Sequence, residues 1–258
     1  MDWNRTKTIF IVTFLLLNLF LTWQLVETNN ANQMNLITEA TIQEKLKENN
    51  VNIEVELKEV EISSPLIVGK SVVFEQDNLI LANQQIDIVE ERTIFSVLEK
   101  PFPLTNDQLD IDLQQFLTGY VYKGGDYRYD SYDPLTKKMT LYQSYEGKMA
   151  YTLEEGPLTL QLDDELQIIS YEQRYFEFEE QPGKEPELLS SLKAIEKLWN
   201  DQLIGMNQTI TDVQFGYYNF FSPAGDVQVF APMWRVTVGE EVYLVHAINS
   251  SVQKLSDS

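Results

Sequence analysis

The sequence contains no cysteine and a single histidine, His246. Without cysteine there is no disulfide framework, no thiol nucleophile and no lipid-modified anchor residue. One histidine leaves zinc centres short of ligands. Any Ser–His chemistry would have to run through His246, which sits in the apolar run VYLVHAI and reads as a strand histidine with its nitrogens satisfied. Basic charge is scarce too: 19 lysines and arginines face 40 acids, for a net charge of −21. Such a field repels phosphate backbones and anionic headgroups, so nucleic acid is a poor partner. It keeps a surface soluble, and it also suits a basic partner or weak binding of divalent cations.

What the chain does have is one long uncharged run. Ile9 to Val26 reads IFIVTFLLLNLFLTWQLV. As a helix it is roughly 27 Å long, close to the ~30 Å hydrocarbon core of a bilayer. Trp23-Gln24-Leu25-Val26-Glu27 offers no small residues for a signal-peptidase cut, so an uncleaved signal anchor is expected rather than a cleaved signal. Arg5 and Lys7 precede the run, and no basic residue follows until Lys45. The positive-inside bias then leaves the N-terminus in the cytoplasm and residues 27–258 outside. Arg5 and Lys7 outweigh Asp2 by one charge, so that outer part carries −22. About 220 residues can build a core without disulfides.

The expected organisation is a cytoplasmic stub and membrane helix over 1–26, a polar linker over 27–37, a first α+β subdomain over 38–102 and a second, β-rich one over 103–258. A helix is predicted from Thr38 to Glu48, with Ile42 and Leu46 on one face. Val51, Ile53, Val55 and Leu57 alternate as a half-buried strand, with short strands after it at 66–68, 72–74, 79–81 and 86–89. Pro101 and Pro103 break the pattern. A second helix covers Asp107 to Leu117. Gly124-Gly125, Asp133-Pro134, Glu146-Gly147, Glu155-Gly156 and Asp163-Asp164 then punctuate hairpins up to Glu180. A third helix, Pro186 to Ile204, carries Leu188, Leu192, Ile195, Leu198 and Trp199 on one stripe. The tail reads as strands at 213–218, 227–230, 234–238 and 242–247. The fold class is α+β: an N-terminal transmembrane helix, then antiparallel sheets with a few packed helices.

Candidate chemistry is sparse. Ser190-Ser191-Leu192-Lys193 and Ser251-Val252-Gln253-Lys254 match S-x-x-K, but neither S-D-N nor K-T-G accompanies them. Gly69-Lys70-Ser71 resembles the end of a P-loop, yet position 64 is Ser, and the segment reads as a turn. Asp163-Asp164-Glu165 and the group Glu177, Glu179, Glu180 lack calcium-loop spacing. Paired carboxylates for glycoside hydrolysis are a weak signal among so many acids. Asn4, Asn207 and Asn249 fit N-x-[ST] by accident. Tyr120, Tyr122, Tyr127, Tyr129, Tyr132, Tyr142, Tyr145 and Tyr151 crowd the hairpins, where cross-strand packing competes with a glycan- or peptide-binding face. No cofactor or metal is expected.

The membrane run carries the more specific pattern. Ile11, Leu15, Asn18, Thr22 and Leu25 follow 4-3-4-3 spacing and form one seam. An amide in mid-membrane with a hydroxyl one turn away is costly toward lipid and useful toward another helix. This seam is the candidate partner-binding site.

The opening MDWNRTKTIFIVTFLLLNLFL resembles the start of the YycI (WalI) family, in Asp2-Trp3, Arg5, Lys7, Thr8-Ile9-Phe10-Ile11 and the Asn18-interrupted anchor. Pro232-Met233-Trp234-Arg235-Val236, a hairpin and Ala247 are similar to PepSY-like domains. The family resemblance implies a non-enzymatic, single-pass regulator of the WalK–WalR two-component system. Its partners would be the WalK-like sensor histidine kinase and a YycH-like protein, met through transmembrane-helix and outer-domain contacts, in the control of cell-wall metabolism of low-GC Gram-positive bacteria. The alternative is an extracytoplasmic cell-wall binding module.

Overall fold

The computed structural model describes residues 3–57, 64–75, 81–152, 156–182, 186–221 and 226–255. Its first element, α1, is one continuous helix from Trp3 to Glu48. It runs straight through 27–37, the stretch read as an irregular linker. That stretch is amide-rich but holds no proline or glycine, so nothing in it interrupts a helix propagating from both sides. Among the described residues no helix is long and apolar enough to cross a membrane. The described side chains of the apolar run extend from Phe10 to Gln24, and its large apolar ones lie open, Phe10 at 72 % exposure and Ile11 at 65 %. The other end of α1 is anchored: Ile42 and Leu46, four apart, are buried at 3 % and 2 %.

Fourteen strands form one sheet among the described residues. β1 (Asn52–Ile53) pairs parallel with β11 (Thr209–Phe221). The alternation over 51–57 predicts a longer strand than these two residues. β2 (Ile67–Ser71) lies between β10 (Phe176–Glu180) and β12 (Val227–Val238), antiparallel to both. β3 (Gln84–Val89) pairs with β4 (Thr93–Pro103), which also pairs with β9 (Gln167–Gln173). β4 is absent from the sequence reading because Pro101 and Pro103 look like breakers. Pro101 falls inside the register shift between Val97 and Phe102, and Pro103 is the last residue of the strand, so their missing donors cost little. The strand expected at 79–81 lies largely outside the described residues.

α2 (Leu109–Tyr120) follows a 3-10 turn at Asn106–Gln108 and packs Leu113, Phe116 and Leu117 inward. Beyond it, Gly124 is forced: a Cβ there would sit 1.9 Å from the Leu117 carbonyl oxygen. The hairpin ladder then matches its turn signals. β5 (Tyr127–Asp133), β6 (Lys138–Tyr145) and β7 (Lys148–Tyr151) are consecutive antiparallel neighbours. Glu146 and Gly147, both at positive φ (49° and 77°), make the tight turn between β6 and β7. β8 (Leu158–Leu162) pairs with β6 and β9.

α3 (Ser191–Asn200) is shorter than the predicted Pro186–Ile204, because Ser190 caps it by accepting from the Lys193 amide. The two strands expected at 227–230 and 234–238 are the single strand β12, since Ala231–Met233 continue its ladder to β11. β13 (Glu241–His246) pairs with β12, and β14 (Val252–Leu255), not foreseen, completes that edge. The sheet is mixed rather than wholly antiparallel, since β1 and β7 both run parallel to β11.

Two main cores result. One joins α2 to β4, β6, β8 and β9 through Phe116, Leu141, Leu158, Leu160 and Ile168. The other joins the end of α1 to α3, β12 and β13 through Leu46, Leu198, Trp234, Val236 and Val245.

Candidate functional site

On α1 the seam residues Ile11 and Leu15 are exposed, and the Leu25 side chain lies outside the described residues. Asn18 Nδ2 donates to the Phe14 carbonyl at 2.8 Å, and Thr22 Oγ1 donates to the Asn18 carbonyl at 2.8 Å. Both polar side chains thus fold back one turn onto their own helix, which lowers their cost in an apolar medium. The back-bond uses one N–H of the Asn18 amide, and its carbonyl oxygen can still serve a neighbouring helix.

The other sequence candidates are placed as follows. Ser190 spends its hydroxyl on the α3 cap. Lys254 pairs with Glu241 at 2.5 Å, while the Ser251 amide donates to Asn249. His246 Nδ1 accepts from the Ile248 amide at 3.1 Å, and burial holds its pKa below the usual imidazole range. Gly69-Lys70-Ser71 is strand, in β2, not the turn expected. Asp163 Oδ1 accepts the amides of Glu165 and Gln167, and Asp164 pairs with Lys137. Among the described residues no three acid or histidine side chains gather as a metal site.

The tyrosines divide. Tyr127 is fully buried and donates to the Arg174 carbonyl at 2.6 Å. Tyr120 stacks on Phe116. Tyr142, Tyr151 and Tyr218 form a ladder across β6, β7 and β11, with ring centroids 4.8 and 4.5 Å apart. Most of these rings are committed to packing.

Tyr145, packed on Phe178 and Tyr217, lines a cleft of about 440 Å³ between the end of β6 and β10. Several features build this cleft. Phe176 and Phe178 alternate with Glu177 and Glu179, so β10 turns its aromatic rings inward and its carboxylates outward. The rings close over Gly69 of β2, where a Cβ would come within 2.9 Å of the Phe230 ring and 3.1 Å of Phe178. Glu179 pairs with Lys70 at 2.7 Å. Lys123 reaches Glu177 at 3.4 Å and lies 4.6 Å over the Tyr175 ring. Tyr175 donates to Asp126 at 2.6 Å and Tyr145 to Glu180 at 3.2 Å. Burial and these neighbouring carboxylates push Tyr145 up to about 12 and Tyr175 higher still.

At the closed end of the cleft, the buried Gln143 amide bonds the Phe176 main chain twice. Its Nε2 donates to the Phe176 carbonyl at 3.0 Å, and its Oε1 accepts the Phe176 N–H at 2.8 Å. Sequence reasoning did not single out Gln143, Phe176 or Phe178. Gln143 follows Met139 and Leu141 on the buried face of β6, a position apparent only once the strand is placed.

Among curated proteins none matches the chain. Of solved structures, an uncharacterized protein from Eubacterium rectale ATCC 33656 is 12 % identical with a TM-score of 0.45, over 80 % of this chain and 86 % of that one. YycH from Bacillus subtilis is 11 % identical with a TM-score of 0.40, over 78 % of this chain and 57 % of that one. The Bacillus megaterium YpeB C-terminal domain is 11 % identical with a TM-score of 0.36, over 84 % and 97 %. The family model described as YycI protein matches residues 29–248, most of the chain, and the chain therefore belongs to the YycI family.

Proposed function

We propose that this chain is a non-enzymatic, membrane-anchored regulator of a WalK-type sensor histidine kinase, acting together with a YycH-like protein. The observation that carries the reading is membership of the YycI family over residues 29–248. The α1 helix supports it: its uncharged run exposes a continuous set of large apolar side chains, as a helix inserted in lipid would. In this reading the N-terminus is cytoplasmic, residues from Glu27 onward lie outside, and the kinase helices pack on the seam of Ile11, Leu15, Asn18, Thr22 and Leu25. Regulation then requires that this packing differ between two states of the kinase, since equal packing shifts nothing.

The test is purification of the full-length chain from membranes of its own host, with identification of what travels with it. A sensor histidine kinase and a YycH-like protein are expected together. Recovery of neither, from membranes in which both are present, would sink the proposal. External protease on intact protoplasts should digest residues after Val26 and leave the anchor in the membrane. A soluble product beginning near Glu27 would show a cleaved signal instead.

A further inference from the structure

β10 is an edge strand, and its hydrogen-bonding phase shows what the open edge offers. Its antiparallel register with β2 pairs Glu177 with Lys70 and Glu179 with Val68. The Gln181 amide donates to the Leu66 carbonyl, and the Val72 amide to the Tyr175 carbonyl. In an antiparallel ladder alternate residues bond to the same neighbour, so 175, 177, 179 and 181 are spent on β2. Phe176, Phe178 and Glu180 therefore turn their N–H and C=O groups the other way, toward the cleft. Phe176 is already satisfied there by the Gln143 carboxamide, which donates and accepts as a neighbouring strand would. Beyond Gln143 the edge continues, and the cleft beside it is open.

We infer that this edge docks an extended, basic segment of a partner polypeptide, which adds a short strand along Phe178–Glu180. The Gln143 side chain is a one-residue sample of the occupant, an amide seated on the first position of the edge. Past Gln143, the main-chain groups of Phe178 and Glu180, roughly 7 Å apart along the strand, remain for pairing. Charge sets the partner's character. Asp126, Glu146, Glu177 and Glu179 line the cleft, and Glu180 borders it. The ammonium groups of Lys70 and Lys123 already settle on Glu179, Glu177 and the Tyr175 face. Lysine or arginine side chains alternating along an added strand would meet the same groups. The inference stands whether or not the kinase reading does, since it concerns the outer domain alone.

The experiment uses the full-length chain in lipid nanodiscs and three capped octapeptides: alternating lysine and valine, alternating glutamate and valine, and the lysine–valine peptide with every backbone amide N-methylated. The lysine–valine peptide is expected to bind saturably and to protect the Phe178 and Glu180 amides from hydrogen exchange. The other two should bind at least about tenfold more weakly. Glu180→Pro removes an outward donor without touching the β2 ladder and should weaken the lysine–valine peptide by about tenfold. Glu180→Gln keeps the donor and should retain most of the binding. Undiminished binding of the N-methylated peptide would show attraction by charge alone and overturn the inference. So would protection confined to β3, β5 or β14, or no saturable binding of the lysine–valine peptide.

Discussion

Two buried side chains are satisfied to opposite degrees. Tyr218 stacks on Tyr151 at 15° between ring planes, yet its buried hydroxyl meets no hydrogen-bond partner. An unpaired buried donor costs about 1–3 kcal/mol, so Tyr218→Phe keeps the stack and removes the penalty. Urea unfolding should show a gain of about 1 kcal/mol, and a loss would mean that the hydroxyl is bonded after all. Gln143 is the reverse case. Replacing it with leucine leaves both main-chain groups of Phe176 unpaired in the interior, at a cost of about 3 kcal/mol. The Phe176 amide should then exchange faster than its neighbours on β10. An unchanged exchange rate would show that another group takes over the pairing. Neither role is legible in sequence, because a tyrosine's ring and hydroxyl are inseparable in a pattern and Gln143 looks like any strand residue. The cap at Ser190 was hidden as well, because Leu188 extends the apolar stripe backwards and places Ser190 inside the expected helix.

At the scale of elements, α1 carries the seam. On the proposed reading, Asn18→Leu removes the amide offered to a partner helix and makes insertion easier. Interhelical polar contacts are worth about 0.6 to 2 kcal/mol, so association should weaken by roughly threefold to thirtyfold. Partial loss of kinase regulation at unchanged abundance is expected, with Phe20→Leu as the control on another face. Equal behaviour of the two variants, with Leu15→Trp also silent, would remove the contact from this seam. Helices and hairpins were the legible elements, since the Leu192–Ile195–Leu198 stripe and the Glu146-Gly147 turn depend on neighbours in sequence. β4 was hidden by its two prolines. The position of β2 between β10 and β12 was hidden for a different reason: those pairings span more than a hundred residues, and no local pattern encodes them.

Burial keeps several tyrosines protonated across the molecule's cores. Desolvation pushes Tyr151, Tyr171 and Tyr243 up to about 12, and Tyr218 and Tyr127 upward as well. Unfolded tyrosine ionises near pH 10. A phenol whose folded pKa is raised binds more protons folded than unfolded above that value, so its contribution is complete below pH 10 and is lost as pH rises through about 12. Tyrosinate absorbance should therefore appear late and together with loss of circular dichroism. Ionisation of these rings near pH 10 in a chain that stays folded would show that water reaches them.

One property of α1 bears on how the halves of the chain could communicate. A single unbroken helix links Asn18 to Ile42 and Leu46, which are set in the core beside α3. Such an element acts as a torsion shaft, in which rotation at one end is rotation at the other. Its angular phase is then a functional variable. One alanine inserted between Asn30 and Ala31 turns the seam by about 100° relative to the core, whereas seven return it to within about 20°. A shaft loses regulation with one added residue and recovers it with seven, although seven lengthen it by roughly 10 Å. A slack tether would respond to length alone, and the seven-residue insertion would be the more damaging.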